Sequence, residues 1–113
     1  MKSSKIRKAV FAGSWYPASA ADCEKEIKGF LAEGLNLAPP DRELVAGIVP
    51  HAGWYFSGSI ACNVIHCLTG GAPPDVIVVF GMHLHPESAC YMMAEGAWET
   101  PFGEIVVEEK LAA

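Results

Sequence analysis

None of the four cysteines (Cys23, Cys62, Cys67, Cys90) pairs with another at CxxC spacing, and they form no dense framework. A disulfide scaffold therefore lacks its pattern, and free, mostly buried thiols in a reducing compartment are expected. Long apolar runs are missing too. Nothing approaches the ~20 residues of a membrane helix, and residues 9–12 are too short for the apolar core of a secretory signal. A cytoplasmic protein without membrane contact is expected. Clustered basic charge is scarce. The net charge is -5, and only Lys2, Lys5, Arg7 and Lys8 stand together. Phosphate backbones select for more than that, so nucleic acid is not an expected partner. The basic start reads as a solvated, partly disordered tail. There is no internal repeat, no GxGxxG and no GxxxxGK[ST].

What is present can build a core. Hydrophobic residues make up 51% of the chain and charged residues 19%. A length of 113 residues allows one domain, residues 1–113. Ser19 is placed to cap a helix, with Asp22 near its positive end. Cys23, Ile27, Phe30 and Leu31 give that helix one apolar stripe, and Gly34 stops it. Residues 44–49 are apolar throughout and end at Pro50, which predicts a strand buried on both faces. Ser57-Gly58-Ser59 then opens a second helix with a stripe of Ile60, Ala61, Val64, Ile65 and Leu68, ended by Gly70-Gly71. Residues 76–80, Val-Ile-Val-Val-Phe, are the clearest buried strand.

Strand, helix, strand with continuous apolar strands predicts a parallel βαβ unit and an α/β fold. Residues 89–94 are expected to form a third strand, and residues 104–107 to be extended. The end of the chain, from Val107, has helix-forming composition but only about two turns, too few for an isolated helix. It is expected to be part of a longer helix in a longer protein.

Two of these apolar runs lead into histidine. His51 lies two residues past the first run and His83 three residues past Phe80. In open parallel sheets, ligands bind beyond the carboxyl ends of the strands. If the strands are neighbours about 5 Å apart, the two imidazoles can converge on one ion, and neutral imidazole suits several transition metals. The alternative is that both bond loop carbonyls, since two histidines do not complete a site. His85 competes with His83 on the same loop, with Glu87 as a nearby carboxylate. Cys62 and His66, at i and i+4, share a helix face away from the stripe. Trp15, Tyr16, Trp54 and Tyr55 form two aromatic pairs assigned to loops, suited to a pocket wall. Ser57-Gly58-Ser59 resembles a phosphate-cradling turn, though a simple helix cap explains it equally.

Taken in order, Gly13-Ser14-Trp15-Tyr16-Pro17, Pro50-His51-Ala52-Gly53-Trp54-Tyr55 with Ser57-Gly58-Ser59, the histidine loop after Gly81, and Thr100-Pro101-Phe102-Gly103-Glu104 resemble the Memo family. Its bacterial and archaeal members are called AmmeMemoRadiSam system protein B. The family's fold is similar to that of class III extradiol ring-cleavage dioxygenases. The resemblance implies a three-layer-type α/β domain, a mainly parallel sheet flanked by helices, of which this chain is the N-terminal half. It also implies a histidine-lined metal pocket, with iron, copper or zinc as the metal. His51 fits the first ligand. His83 is the better match to the second, on a loop one residue shorter than the family's, and His85 stays in contention. A further histidine and a cysteine of the family's pocket fall outside the matched part, so neither Cys62 nor Cys90 is assigned to them. For the family, both redox chemistry with copper or iron and binding of phosphotyrosine peptides have been proposed.

Two functions follow as expectations. One is a metal-dependent oxidoreductase of dioxygenase type, with His51 and His83 as ligands, His85 as acid or base, and Trp15, Tyr16 and Tyr55 around the pocket. The other is a non-catalytic module that binds a peptide or small anion in the same pocket. An exposed sheet edge would favour a homo-oligomer.

Overall fold

The computed structural model describes residues 5–34, 43–70, 73–81 and 85–113. His83 lies outside them, as does the loop at Pro39-Pro40-Asp41. In chain order the elements are β1 (Ile6–Arg7), α1 (Ala20–Glu33), α2 (Trp54–Leu68), β2 (Ala97–Thr100), β3 (Gly103–Val106) and α3 (Glu109–Ala112). The fold is α/β, with helices and a small mixed sheet of order β1-β2-β3. No helix among the described residues is long and apolar enough to cross a membrane.

Helix α1 follows its sequence signals. The Ser19 hydroxyl accepts a hydrogen bond from the Asp22 N–H at 3.1 Å, satisfying one of the free donors of the first turn, and Gly34 closes the helix. Cys23, on the apolar stripe, is only 1% exposed. Helix α2 begins three residues earlier than its sequence suggested, at Trp54 with Gly53 as cap, and ends at Leu68 before Thr69. Trp54 and Tyr55 are therefore helical rather than loop residues. Ser57 and Gly58 are buried within the helix rather than opening it.

The two helices meet through small and polar residues. A side chain at Gly58 would press on the Phe30 ring at 2.8 Å, so glycine is what allows this approach. Asn63, buried beside it, donates through Nδ2 to the Phe30 carbonyl at 3.0 Å and to the Ser59 carbonyl at 2.8 Å. Ser59 donates to Glu33 Oε2 at 3.2 Å. By contrast, Ile60 and Ile65 of the expected stripe stand about half exposed.

The sheet differs from the expected parallel βαβ unit. Among the described residues, neither residues 44–49 nor residues 76–80 enter a ladder, and residues 89–94 form no strand. At Gly47 an added side chain would meet Val64 and Leu68 of α2 at about 3 Å, so the first segment lies against that helix. Its Val45 and Ile48 nevertheless remain 92% and 96% exposed, and Phe80 of the second segment 92%. The physical reason is that apolar composition records what a segment is suited to bury. It does not supply the neighbouring strand or covering layer that burial requires.

Instead, the sheet grows from the basic tail. Ile6 and Arg7 pair in parallel with Ala97 and Trp98, and β2 turns antiparallel into β3. The Thr100-Pro101-Phe102-Gly103 turn is tied by Thr100 Oγ1, which donates to the Gly103 carbonyl at 2.8 Å and accepts from the Phe102 N–H at 3.1 Å. Across β1 and β2, Lys5 Nζ lies 2.7 Å from Glu95 and Lys8 Nζ 3.1 Å from Glu99. The Arg7 guanidinium sits 4.0 Å over the Trp98 ring. Lys5 to Lys8 thus belong to the fold rather than to a solvated tail.

Candidate functional site

The site is built where two turn-rich segments meet. In the first, the backbone winds tightly from residue 8 to residue 17. The Gly13 N–H donates to the Tyr16 carbonyl at 2.7 Å and the Trp15 N–H to the Phe11 carbonyl at 3.0 Å. The Trp15 ring lies 5.1 Å from that of Phe11. The Cys23 thiol, reaching back from α1, donates to the Pro17 carbonyl at 3.2 Å and pins the end of this loop to the helix. Burial first, then the carboxylates of Glu26 and Asp22, push that thiol's pKa up. It is a packed, protonated group and not a nucleophile.

The second segment is the His51 loop leading into α2. The Trp54 N–H, one of the free donors of a helix start, donates to the Trp15 carbonyl at 2.8 Å. The Tyr16 and Phe30 rings lie 5.9 and 6.0 Å from the Trp54 ring. Ser57 Oγ donates to the Ala52 carbonyl at 3.1 Å, which fixes the loop from its other side. Trp54 is thus a hinge pin: its backbone holds one loop and its ring packs on α1. Two of the aromatic residues singled out in the sequence, Trp15 and Tyr16, are brought to the His51 loop in this way.

Tyr55 is not drawn in. It stands 93% exposed, edge-on to the Phe56 ring at 5.1 Å. His51 is exposed on the loop between Pro50 and α2. His85 is also exposed, and its Nδ1 accepts the Glu87 N–H at 3.3 Å, a local contact within its own turn. Cys62 is half-buried, and burial raises its pKa, while His66 is exposed. That pair does not form an open face. Cys67 is half-buried and Cys90 exposed, so Cys90 is not the buried strand residue expected.

The donor chemistry of an imidazole suits iron, copper or zinc. The donor number does not reach a site: among the described residues no three His, Cys, Asp or Glu stand together closely enough to hold an ion. A shallow hollow of about 510 Å³ lies elsewhere, between Lys5, residues 92–95, Glu109 and Ala113, and includes none of the candidate residues.

Sequence reasoning missed Phe30, Gly58 and Asn63 as the helix contact and Trp54 as the link between loops. Asn63, a polar residue next to Val64 of the apolar stripe, was the available signal for that contact. Nothing in the sequence marked Arg7 and Trp98 as partners, because this parallel pairing joins positions 91 residues apart.

The chain matches the family model "Memo-like protein" over residues 7–113. It is 39% identical over 108 residues to a MEMO1 family protein of Pyrococcus furiosus, covering 95% of this chain and 36% of that protein. It is 35% identical over 114 residues to a MEMO1 family protein of Aeropyrum pernix, covering 94% and 41%. Protein MEMO1 of Danio rerio is 28% identical over 107 residues, covering 95% and 35%. No solved structure matches. The chain thus spans about two-fifths of the length of these relatives, and it belongs to the Memo family.

Proposed function

We propose that this Memo-like chain supplies the first arm of a histidine-lined pocket for a divalent transition metal, with His51 and His83 as ligands. The framework proposed for it is the extradiol-dioxygenase type of α/β fold, of which these residues would form the N-terminal half. The function of the complete pocket would be metal-dependent oxidoreductase chemistry in the cytoplasm. The observation that carries this reading is the 2.8 Å hydrogen bond from Trp54 to Trp15, which joins the two motif-bearing loops and leaves His51 exposed beside them.

The metal's contribution, when bound, would be to activate substrate or dioxygen. The chain's own residues have simpler tasks. Trp15, Tyr16 and Trp54 hold the end of the His51 loop against α1 and the first turn-rich segment. The Nδ1 of His85 accepts from the Glu87 N–H, so the neutral ring carries its proton on Nε2, the nitrogen that can donate. The test is metal analysis of protein purified without chelator, beside His51→Ala and His83→Ala. Metal content should fall in each variant. Content unchanged when both histidines are removed would overturn their role.

A second reading is a binding module for a peptide or small anion, without turnover. It is favoured by the start of α2, which has no side-chain cap and carries the exposed Tyr55. Binding of a phosphotyrosine peptide that survives exhaustive demetallation would favour it over the enzyme.

A further inference from the structure

An imidazole is placed only as firmly as the backbone that carries it, and the His51 backbone is gripped from inside α2. Ser57 is 7% exposed and lies within that helix. A helical serine commonly bonds back to the carbonyl four residues earlier. Here that carbonyl, of Gly53, already accepts the N–H groups of Phe56 at 2.9 Å and Ser57 at 3.1 Å. The Ser57 hydroxyl donates instead to the Ala52 carbonyl at 3.1 Å, outside the helix and next in sequence to His51. A second grip comes from residues 13–17. The Trp15 carbonyl accepts the Trp54 N–H at 2.8 Å, and a side chain added at Gly53 would stand 3.4 Å from it. The Ala52–Gly53 peptide is thus held at its oxygen by α2 and at its far end by a separate turn. Neither grip is a side-chain cap, since none bonds the start of α2. A helix that needed only to start would be served by serine at position 53. A buried serine aimed at a loop carbonyl serves the loop.

We propose that Ser57 is a positioning residue for His51. Its hydroxyl fixes the peptide after Ala52, and through it the direction in which the imidazole leaves the chain. Ser57 itself touches no ligand. The consequence for binding follows from populations. If loss of the hydroxyl leaves the loop in its binding orientation about a tenth of the time, the apparent affinity of an ion held by His51 falls about tenfold. That affinity change rests on the reading of His51 as a ligand, whereas the loop geometry does not.

The test compares the chain with Ser57→Ala, Ser57→Thr and Asn63→Ala, by backbone NMR relaxation without metal and then by titration with Co2+. In the metal-free chain the His51 and Ala52 amides should show order parameters of about 0.85, falling below about 0.6 in Ser57→Ala. Ser57→Thr keeps the hydroxyl and should restore rigidity. Asn63→Ala removes two hydrogen bonds of another buried side chain of α2, away from the loop, and should leave these amides rigid. Co2+ should bind Ser57→Ala about tenfold more weakly than the unchanged chain, with Ser57→Thr recovering both affinity and visible spectrum. A loop as rigid in Ser57→Ala as in the unchanged chain, or equally loosened by Asn63→Ala, would overturn the proposal. So would an Ala52 carbonyl carbon shift that Ser57→Ala leaves unmoved, a measurement that holds even if threonine does not fit the buried position. Absence of Co2+ uptake by the unchanged chain would sink the ligand role of His51 alone, because the metal-free relaxation decides the role of Ser57.

Discussion

Residues 5–8 and residues 76–80 reverse the usual relation between composition and structure. Lys-Ile-Arg-Lys has the composition of a solvated tail, yet it carries a strand, two ion pairs and a cation–π contact. Val-Ile-Val-Val-Phe is as strong a strand former as proteins use, yet among the described residues it pairs with nothing in a ladder. The difference lies in the partners. The first segment meets β2, whose Trp98 and Glu99 complement its charges at the right register. β-propensity measures how well a residue fits a half-covered pleated surface, so it has no structural effect until that surface exists.

The contrast is broken most severely at Gly96. Its φ of +93° and the Lys5 backbone lying where a side chain would go leave room only for glycine. Gly96→Ala should cost about 2–4 kcal/mol, by left-handed strain and backbone overlap, and should detach β1. Urea unfolding followed by Trp fluorescence reads both, and a wild-type midpoint would show that β1 contributes nothing.

A smaller loss is expected at the helix pair, the other partnered region. Asn63→Ala removes two hydrogen bonds from a buried position and leaves the Phe30 carbonyl without that donor. A cost of about 1–2 kcal/mol follows, measurable in the same titration. Arg7→Ala should cost less than about 1 kcal/mol, since its cation–π contact with Trp98 lies at an exposed edge. A double-mutant cycle with Trp98→Leu isolates that contact.

The smallest effect sharpens the boundary between covered and uncovered parts. Iodoacetamide at neutral pH should modify Cys90 first and Cys23 last. Because the folded state holds the proton on Cys23 after the unfolded chain releases it, stability should fall as pH rises from the ordinary thiol value through the raised one. Cys23→Ser should remove that part of the slope. Equal labelling of all four thiols would mean that the α1–α2 pair does not protect its own core.

Local signals in the sequence were enough for α1, because a capping serine, a 3.6-residue apolar stripe and a stop glycine all act within one helix. They also placed β3 within a residue and identified the motif loops as special. They failed for α2's start, where the Trp54 N–H is satisfied from a distant loop rather than by Ser57 or its neighbours. For the candidate site, the residue types were legible but not their company. Trp15 and Tyr16 join the His51 loop, whereas Tyr55 faces away, because helical phase after Gly53 turns neighbouring side chains about 100° apart.

By itself, then, the chain's order of residues determined its family, its α/β class and the histidines and aromatics that mark its motif loops. Tertiary structure decided that the basic start is a strand, that Asn63 and Gly58 rather than isoleucines join the helices, and which aromatics pack at the start of α2. The reason is range. Caps, stripes and turns are short-distance effects written in consecutive residues. A ladder or a packed face depends on a partner far along the chain, whose arrival no local pattern records.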